Sequence, residues 1–435
     1  MGPKIYKKKS TYTSTVSTNI GDAIYLIIVE SPSKCGKIES YLGQNYKCIA
    51  SKGHIRELNG LKNIDIKNNF KPTFSIIKEK AGHIKTMREI IQQFSKENVI
   101  LATDDDREGE GIAWHICELF NLPIETTKRI LFHEITQNAI TEAVKSPKIV
   151  NMNIVKAQQA RQILDIIVGF KISPHLWKHI FSSKSNALSA GRCQTPALRL
   201  VYENEMERRE KGLEKKYKTT GVFTSKQLEF VLGQEFDKEE EVEVFMNKSI
   251  DHSHMMSIEK DKESIKAAPK PFNTSRLLQV ASNVVNTGPK LTMQLCQSLY
   301  QNGFITYMRT DSTKYAPPFL DTAKTYISDT FGKDYLGQVS TIINNNKDNP
   351  HEAIRVTDIT RTTITSTNSK EVSMYKLIWR NTVESCMSNA RYINTNVLIS
   401  APDIIVNKKS KKVNYSHTIE TPVFLGWKII NTKEL

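Results

Sequence analysis

Two short apolar runs, each ending in carboxylates, constrain this chain more than any other feature. Residues 23–29 (AIYLIIV) are unbroken and rich in β-branched side chains, the pattern of a strand buried on both faces, and they lead directly into Glu30. Residues 98–103 (NVILAT) repeat the pattern and run into Asp104-Asp105-Asp106-Arg107-Glu108. A helix signal follows each run. After the first, Ser31 and Pro32 suit an N-cap and a first helical position. After the second, Ile112, Ala113, Ile116, Leu119 and Phe120 form an apolar stripe at helical spacing. Two buried strands that each feed a helix indicate an α/β unit with a parallel sheet, and such sheets collect ligands at the carboxyl ends of their strands. Both acidic clusters sit at such ends.

The rest of the chain reads as further units. Residues 151–210 are mostly helical in pattern, and Thr195-Pro196 opens a helix with Ala197, Leu198, Leu200 and Val201 on its inner face. Residues 211–262 alternate at Tyr217, Thr219, Gly221 and Phe223 and then carry the acidic block 235–243. This stretch is expected to form strands and mobile loops, with the acidic block as a solvated face. A third unit starts near Pro271, with Thr274 and Ser275 capping a helix through Leu277, Leu278 and Ala281. A second helix over about 292–301 ends at Gly303, a good residue for closing a helix, and a strand-like 304–309 follows. Helix, tight turn, helix and strand outline a winged helix-turn-helix. The end returns to strand-like text with a basic run at Lys408, Lys409, Lys411 and Lys412.

Charge narrows the class. Against 46 acidic residues stand 61 Lys and Arg, a formal charge of +15, which argues for a polyanionic partner. No window approaches the roughly 20 apolar residues that cross a bilayer, and the basic, Ser/Thr-rich start lacks the apolar core of a secretory signal. Integral-membrane and secreted classes are therefore excluded, and a cytoplasmic, nucleoid- or nucleus-associated protein is expected, with residues 1–22 as a disordered basic tail. The six cysteines are scattered without a C-x-x-C pair, so a four-cysteine zinc finger is absent and reduced thiols are expected. The terminal TKEL only faintly echoes a retention signal. No G-x-x-x-x-G-K-[ST] occurs, so ATP-driven P-loop chemistry is unsupported.

Two constellations could carry chemistry. Asp104, Asp106 and Glu108 share a face as they leave a strand, and carboxylates in that number suit Mg²⁺, a hard cation. The bland alternative is an acidic first helical turn favoured by the helix dipole at about 0.3–1 kcal/mol per charge. Glu30 and Lys34 at the neighbouring strand end tip the balance toward a metal and phosphate site. In Thr306-Tyr307-Met308-Arg309-Thr310-Asp311, an extended backbone would point Tyr307, Arg309 and Asp311 the same way. A phenol with a pKa near 10 needs cationic help to act as a nucleophile. Arg309 could supply it and grip a phosphate at two points, the alternative being a half-buried Tyr in a polar strand. His54, Arg56, Arg161 with Asp165, and Arg192 with Gln194 lie beside turns, where caps and surface ion pairs are the commoner roles. His351 and Arg355 would share a helical face at i, i+4.

Read together, these segments become recognisable. VESPSK (29–34) with ATDDDREGEGIAWHI (102–116) resembles the two metal-site motifs of a Toprim domain. FHEITQNAI (132–140), ARQILDIIVGF (160–170), LSAGRCQTPALRLV (188–201), YMRTDS (307–312) and HEAIR (351–355) follow in order. The set resembles a type IA DNA topoisomerase, and SKGHIREL (51–58) with SPHLWKHI (173–180) resembles the bacterial-type topoisomerase I branch. The resemblance implies ATP-independent cleavage of one DNA strand by Tyr307, with a 5′-phosphotyrosine intermediate, strand passage and rejoining that relax negative supercoils. By position it implies that Arg309 supports the nucleophile and that Glu30 and Lys34 lie at the scissile phosphate. Glu30, Asp104, Asp106 and Glu108 would hold Mg²⁺. DNA contacts would come from His54, Arg161, Asp165, Ser189, Ala190, Gly191, Arg192, Cys193, Gln194 and His351.

The implied fold is a multidomain α/β plus α plus β chain forming a partial torus. Its parts would be a Rossmann-like Toprim domain (23–150, with a 37–62 excursion toward the DNA-binding domain), a helical DNA-binding domain (151–210), a first part of a β-rich arch (211–270), a winged-helix-like tyrosine domain (271–395) and an incomplete arch return (396–435). The family core continues past a segment like Phe424-Leu425-Gly426-Trp427, whereas this chain stops at Leu435 without a Gly/Arg/Pro/Ser-type groove motif or zinc ribbons. The expectation is a cleavage-competent enzyme whose full relaxation needs a separate chain to complete the torus. The partner is a single-stranded segment of negatively supercoiled duplex. The competing readings are a truncated single-stranded-DNA-binding module and a Toprim-type nuclease.

Overall fold

The computed structural model describes residues 20–180, 188–212, 215–344, 351–406 and 409–432. The basic tail over 1–19, Lys408 of the basic run and the last three residues lie outside the described residues. The chain is a multidomain α/β protein whose Cα packing divides into two units. The first takes in residues 1–195, 280–310 and 368–375, and the second takes in 196–279, 311–367 and 376–435.

In the first unit the sequence runs become a four-stranded parallel sheet. Strand β1 (Tyr25–Val29) pairs on one side with β2 (Tyr46–Ala50) and on the other with β3 (Val99–Ala102), and β4 (Lys128–Arg129) closes the order β2-β1-β3-β4. Register sets Leu26 opposite Lys47 and Val99, and Val29 opposite Ala50 and Ala102, so the ends of β1 and β3 lie level. Leu26 to Val29 are wholly buried, as a strand covered on both faces requires. Helix α1 (Pro32–Leu42) opens with Ser31 in the N-cap position and Pro32 at its start. α2 (Ala81–Ile91) and α3 (Arg107–Phe120) pack Ile84, Met87, Ile90, Ile112, Ala113, Ile116 and Phe120 into one core with Leu26, Ile28, Val99 and Leu101. α4 (Gln137–Lys145) and the long α5 (Met152–His179) follow, and α5 runs through Pro174 without ending.

α6 (Gln194–Glu210) starts where Thr195-Pro196 predicts, but Leu198, Leu200 and Val201 are about two-thirds exposed rather than inward. None of its residues is buried among the described residues.

The second unit is built on an antiparallel sheet of strands β5 (Tyr217–Phe223), β6 (Leu228–Phe236), β7 (Met256–Ile258), β8 (Lys262–Lys266), β9 (Ala390–Ser400) and β10 (Asn414–Phe424). The order is β7-β9-β10-β6-β5, with β8 also on β9. Phe230, Leu232, Val397, Ile399 and Tyr415 form its core together with Phe245 of α7 (Glu239–Ile250). The acidic block is the solvated face expected, its acidic residues all exposed, but part of it is helical rather than loop. Glu239, Glu240 and Glu241 occupy the first turn of α7, where the helix dipole favours them.

The two helices expected after Pro271 are present as α8 (Thr274–Val284) and α9 (Pro289–Gln301), the second beginning three residues earlier than its apolar pattern suggested. Residues 351–355 are not helical, so His351 and Arg355 do not share a helical face. Arg355 instead pairs with buried Glu352 at 2.5 Å and covers the Phe319 ring, which makes this a packing motif of the second unit.

Candidate active site

The level ends of β1 and β3 bring the two acidic clusters together. Glu30 accepts the backbone N–H of Asp104 at 3.0 Å, so one carboxylate ties the two strand ends. Pro32 turns the chain sharply into α1, and Lys34, one turn in, is wholly buried against the Asp104 carboxylate. Its ammonium also lies 4.8 Å from the centre of the Tyr300 ring and 5.9 Å from that of Phe132.

Asp106 is extended (φ −140°, ψ 176°) and caps α3 by accepting Gly109 N–H at 2.8 Å. Glycine is demanded at 109, because a Cβ there would stand 2.1 Å from the Asp104 carbonyl oxygen. Thr103 Oγ1 closes the same turn by donating to Gly109 O at 2.7 Å. Glu108 accepts from Gln158 Nε2 at 3.1 Å and lies 3.4 Å from His54 Nε2.

Tyr307 meets this cluster. Its phenol donates to Asp106 Oδ2 at 2.5 Å, and Arg309 Nη1 reaches the same oxygen at 3.4 Å. The backbone N–H of Tyr307 donates to His133 O at 2.8 Å, and Tyr300 packs edge-on against its ring at 5.2 Å. The segment 304–309 is irregular rather than a strand, so alternation does not align these side chains. Tyr307 and Arg309 converge through Asp106, while Asp311 belongs to the second unit. Arg309 does act on the Tyr307 phenol in the expected direction, lowering its pKa, but it is outweighed. Burial first, then the Asp106 charge, push the Tyr307 phenol well above its ordinary range, and Arg309 opposes this only weakly. Tyr307 is 4% exposed, whereas the Arg309 side chain is half exposed and screened by solvent.

The acidic charges crowd one another. Burial first, then Asp104, raise the Glu30 carboxyl to about 7. The donor chemistry of Glu30, Asp104, Asp106 and Glu108 fits a hard divalent cation, which would relieve that crowding. Their placement is another matter. Each carboxylate is held in its own bond, and among the described residues no three His, Cys, Asp or Glu side chains are gathered as a ready metal cage.

Among the remaining candidates, His54 and Asp165 line a common cavity of about 370 Å³ with Arg56, Gln162 and Ile166. Arg161 is exposed on α5. Arg192 Nε pairs with Asp165 at 2.9 Å, and Gln194 donates to Ser189 Oγ at 3.1 Å. Ala190 is buried with its N–H on Ser173 Oγ at 3.0 Å, Gly191 N–H donates to Thr195 Oγ1 at 3.1 Å, and Cys193 is exposed. His351 lies in the second unit.

Sequence reasoning missed four residues. Gln297 and Gln301 of α9 line a cavity of about 440 Å³ with Glu30, Ser31, Lys52 and Asp104. Their signal was a four-residue spacing on the helix that precedes Tyr307. Gln158 and Arg129 hold the acidic turn from behind, and an isolated Gln or Arg in sequence carries no such signal.

A parallel sheet whose strand ends bear carboxylates, with a tyrosine held on one of them, fits an enzyme of the strand-cleaving and rejoining kind. Residues 25–135 match the Toprim domain and residues 149–435 match the DNA topoisomerase family. The chain belongs to that family, as a type IA topoisomerase of the bacterial type, and is an isomerase that cleaves and relaxes DNA. It is similar to full-length topoisomerase I from Thermotoga maritima at 33% identity, with a TM-score of 0.75 over 94% of this chain and 68% of that one. Among the described residues no helix is long and apolar enough to cross a membrane.

Proposed function

We propose that Tyr307 is the nucleophile of this topoisomerase and that it acts on a single-stranded DNA segment laid over the ends of β1 and β3. The 2.5 Å hydrogen bond from its phenol to Asp106 carries the reading, because it puts a phenolic oxygen able to form a phosphotyrosine directly on the acidic cluster. In cleavage, Tyr307 Oη attacks the phosphorus as its proton passes to Asp106. The new Oη–P bond leaves a 5′-phosphotyrosine, and the P–O3′ bond breaks. The departing 3′ oxygen takes a proton, for which Lys34 is the candidate donor once DNA displaces Asp104 from it. Rejoining runs these transfers in reverse, so the bond energy is conserved and no nucleotide is consumed. Arg309, exposed beside the phenol, is placed to grip the scissile phosphate.

Asp104, Asp106 and Glu108, with Glu30, would hold Mg²⁺. Such an ion supplies positive charge against the phosphate and orients the strand ends for rejoining. His54, Arg161, Asp165, the 189–194 segment and His351 serve as DNA contacts.

The test is covalent trapping. The protein is mixed with an end-labelled single-stranded oligonucleotide and Mg²⁺, denatured, and resolved on a gel. The expected result is a protein–DNA adduct absent in Tyr307→Phe. No adduct from the parent protein, or multiple-turnover cutting that persists in Tyr307→Phe, overturns the assignment, the latter in favour of hydrolysis.

A further inference from the structure

Beneath the acidic turn lies a cation that the reaction does not touch. Arg129, at the end of β4, is 1% exposed and directs its donors at three points of one loop. Its Nη2 donates to the carbonyl of Asp104 at 2.9 Å, its Nε to Thr103 Oγ1 at 3.3 Å, and its Nη1 pairs with Glu110 at 2.9 Å. Glu110 in turn accepts Asn151 N–H at 2.6 Å, which ties the loop to the start of α5. The loop so clamped runs from Thr103 to Glu110 and carries Asp104, Asp106 and Glu108. A buried guanidinium is costly to desolvate, and surrounding it with apolar residues would stabilise the sheet equally well. Its place under the backbone of the acidic turn calls for a reason specific to that turn.

We infer that Arg129 is a positioning residue that sets Mg²⁺ affinity, fixing the 103–110 backbone from which three mutually repelling carboxylates would have to turn toward one ion. This rests on the Mg²⁺ reading above. A planar fork makes all three bonds at once, and Lys can replace only one of them. Arg129→Lys keeps the charge and loses the clamp.

The experiment titrates Mg²⁺ alone into the full chain by calorimetry, for wild type, Arg129→Lys and Thr103→Val, with melting temperatures measured alongside. Thr103→Val is nearly isosteric and removes one arm of the clamp, together with the Thr103–Gly109 bond of the same turn, without altering charge, so it tests the held turn if Arg129→Lys does not fold. Half-saturation is expected about tenfold higher in Arg129→Lys and two- to threefold higher in Thr103→Val. The Mg²⁺ needed for half-maximal relaxation should move in parallel, so that added Mg²⁺ restores the activity. Folded variants that melt lower yet bind Mg²⁺ as wild type does would show a merely structural role and overturn the inference. Wild type that gives no heat with Mg²⁺ overturns the metal reading itself, and the inference with it, a pattern distinct from unchanged variants.

Discussion

Replacing Lys34 by Met should open the acidic site from the inside. The Lys34 and Asp104 side chains are 0% and 9% exposed, so neither charge has water to fall back on. Removing one partner of such a pair typically costs about 3–5 kcal/mol, because the other is left buried and uncompensated. Converted at 1.36 kcal/mol per decade, that is roughly two to three and a half powers of ten in a local opening equilibrium. Hydrogen exchange read by mass spectrometry resolves this in peptides spanning β1, α1, β3 and α3, where a global melt of a multidomain chain would blur it. Asp104→Asn added to Lys34→Met removes the stranded charge and should return most of the lost protection. Mg²⁺ should slow exchange more in Lys34→Met than in wild type, since Asp104 is then free to take a cation. Acceleration below tenfold in Lys34→Met, or no recovery in the double variant, would refute the view that this ion pair holds the two strand ends together.

Gly109→Ala should displace the acidic turn, since its Cβ would press on the Asp104 carbonyl oxygen. A melting scan should show a loss of about 2 kcal/mol or more, with relaxation abolished on a supercoiled plasmid while oligonucleotide binding persists. His115 gives a pH signature. Burial first, then Arg56 and His54, push its pKa down to about 3, against about 6.5 in an unfolded chain. The neutral form is the one that folds, so its contribution is complete above pH 6.5 and is lost as pH falls toward 3. By pH 4 the loss is about 3 kcal/mol at 1.36 kcal/mol per unit. Denaturant titrations should show a shallower acid decline in His115→Gln than in wild type, and identical slopes would sink the assignment.

What could be read from the sequence was whatever a period or a chemical contrast announces. The runs at 23–29 and 98–103 became β1 and β3 because unbroken β-branched text has few other homes. Ser31-Pro32 announced the start of α1, where Pro32 opens the helix although Ser31 makes no side-chain cap bond, whereas the capping of α3 by Asp106 went unread. Three misreadings share a cause. Residues 304–309 and 351–355 were judged by local pattern, yet tertiary bonds decide their shape: Tyr307 N–H goes to His133 O, and Arg355 goes to Glu352. The acidic start of α7 is solvated as read, but its helical form went unread because only Phe245 and the half-buried Val242 anchor it to the sheet. Arg129 and Gln158 were invisible because a positioning contact leaves no spacing rule in the chain. The same holds for the carboxylates: their sequence spacing showed that they share a strand end, but not that each is held by a different partner.

That separation bears on how the site works. A phosphodiester brought to Tyr307 must approach a cluster of four carboxylates, and the chain meets the repulsion by occupying each of them before DNA arrives. Lys34 holds Asp104, the phenol and Arg309 share Asp106, Gln158 and His54 hold Glu108, and the Asp104 N–H holds Glu30. Each group proposed to act on the scissile phosphate, Tyr307, Arg309 and Lys34, is thus engaged with a group proposed to bind Mg²⁺. For Tyr307, Arg309 or Lys34 to reach a phosphate, Asp106 or Asp104 must give it up, and the cation is what those carboxylates would take in exchange. Phosphate and Mg²⁺ would therefore take complementary halves of the same set of contacts and should bind with positive coupling, each lowering the cost of releasing what the other needs. A site built with its carboxylates already caged would bind metal more tightly, but it would leave the phenol unrestrained. In this arrangement the phenol proposed as nucleophile is buried and protonated, and it would stay so until both ligands are present.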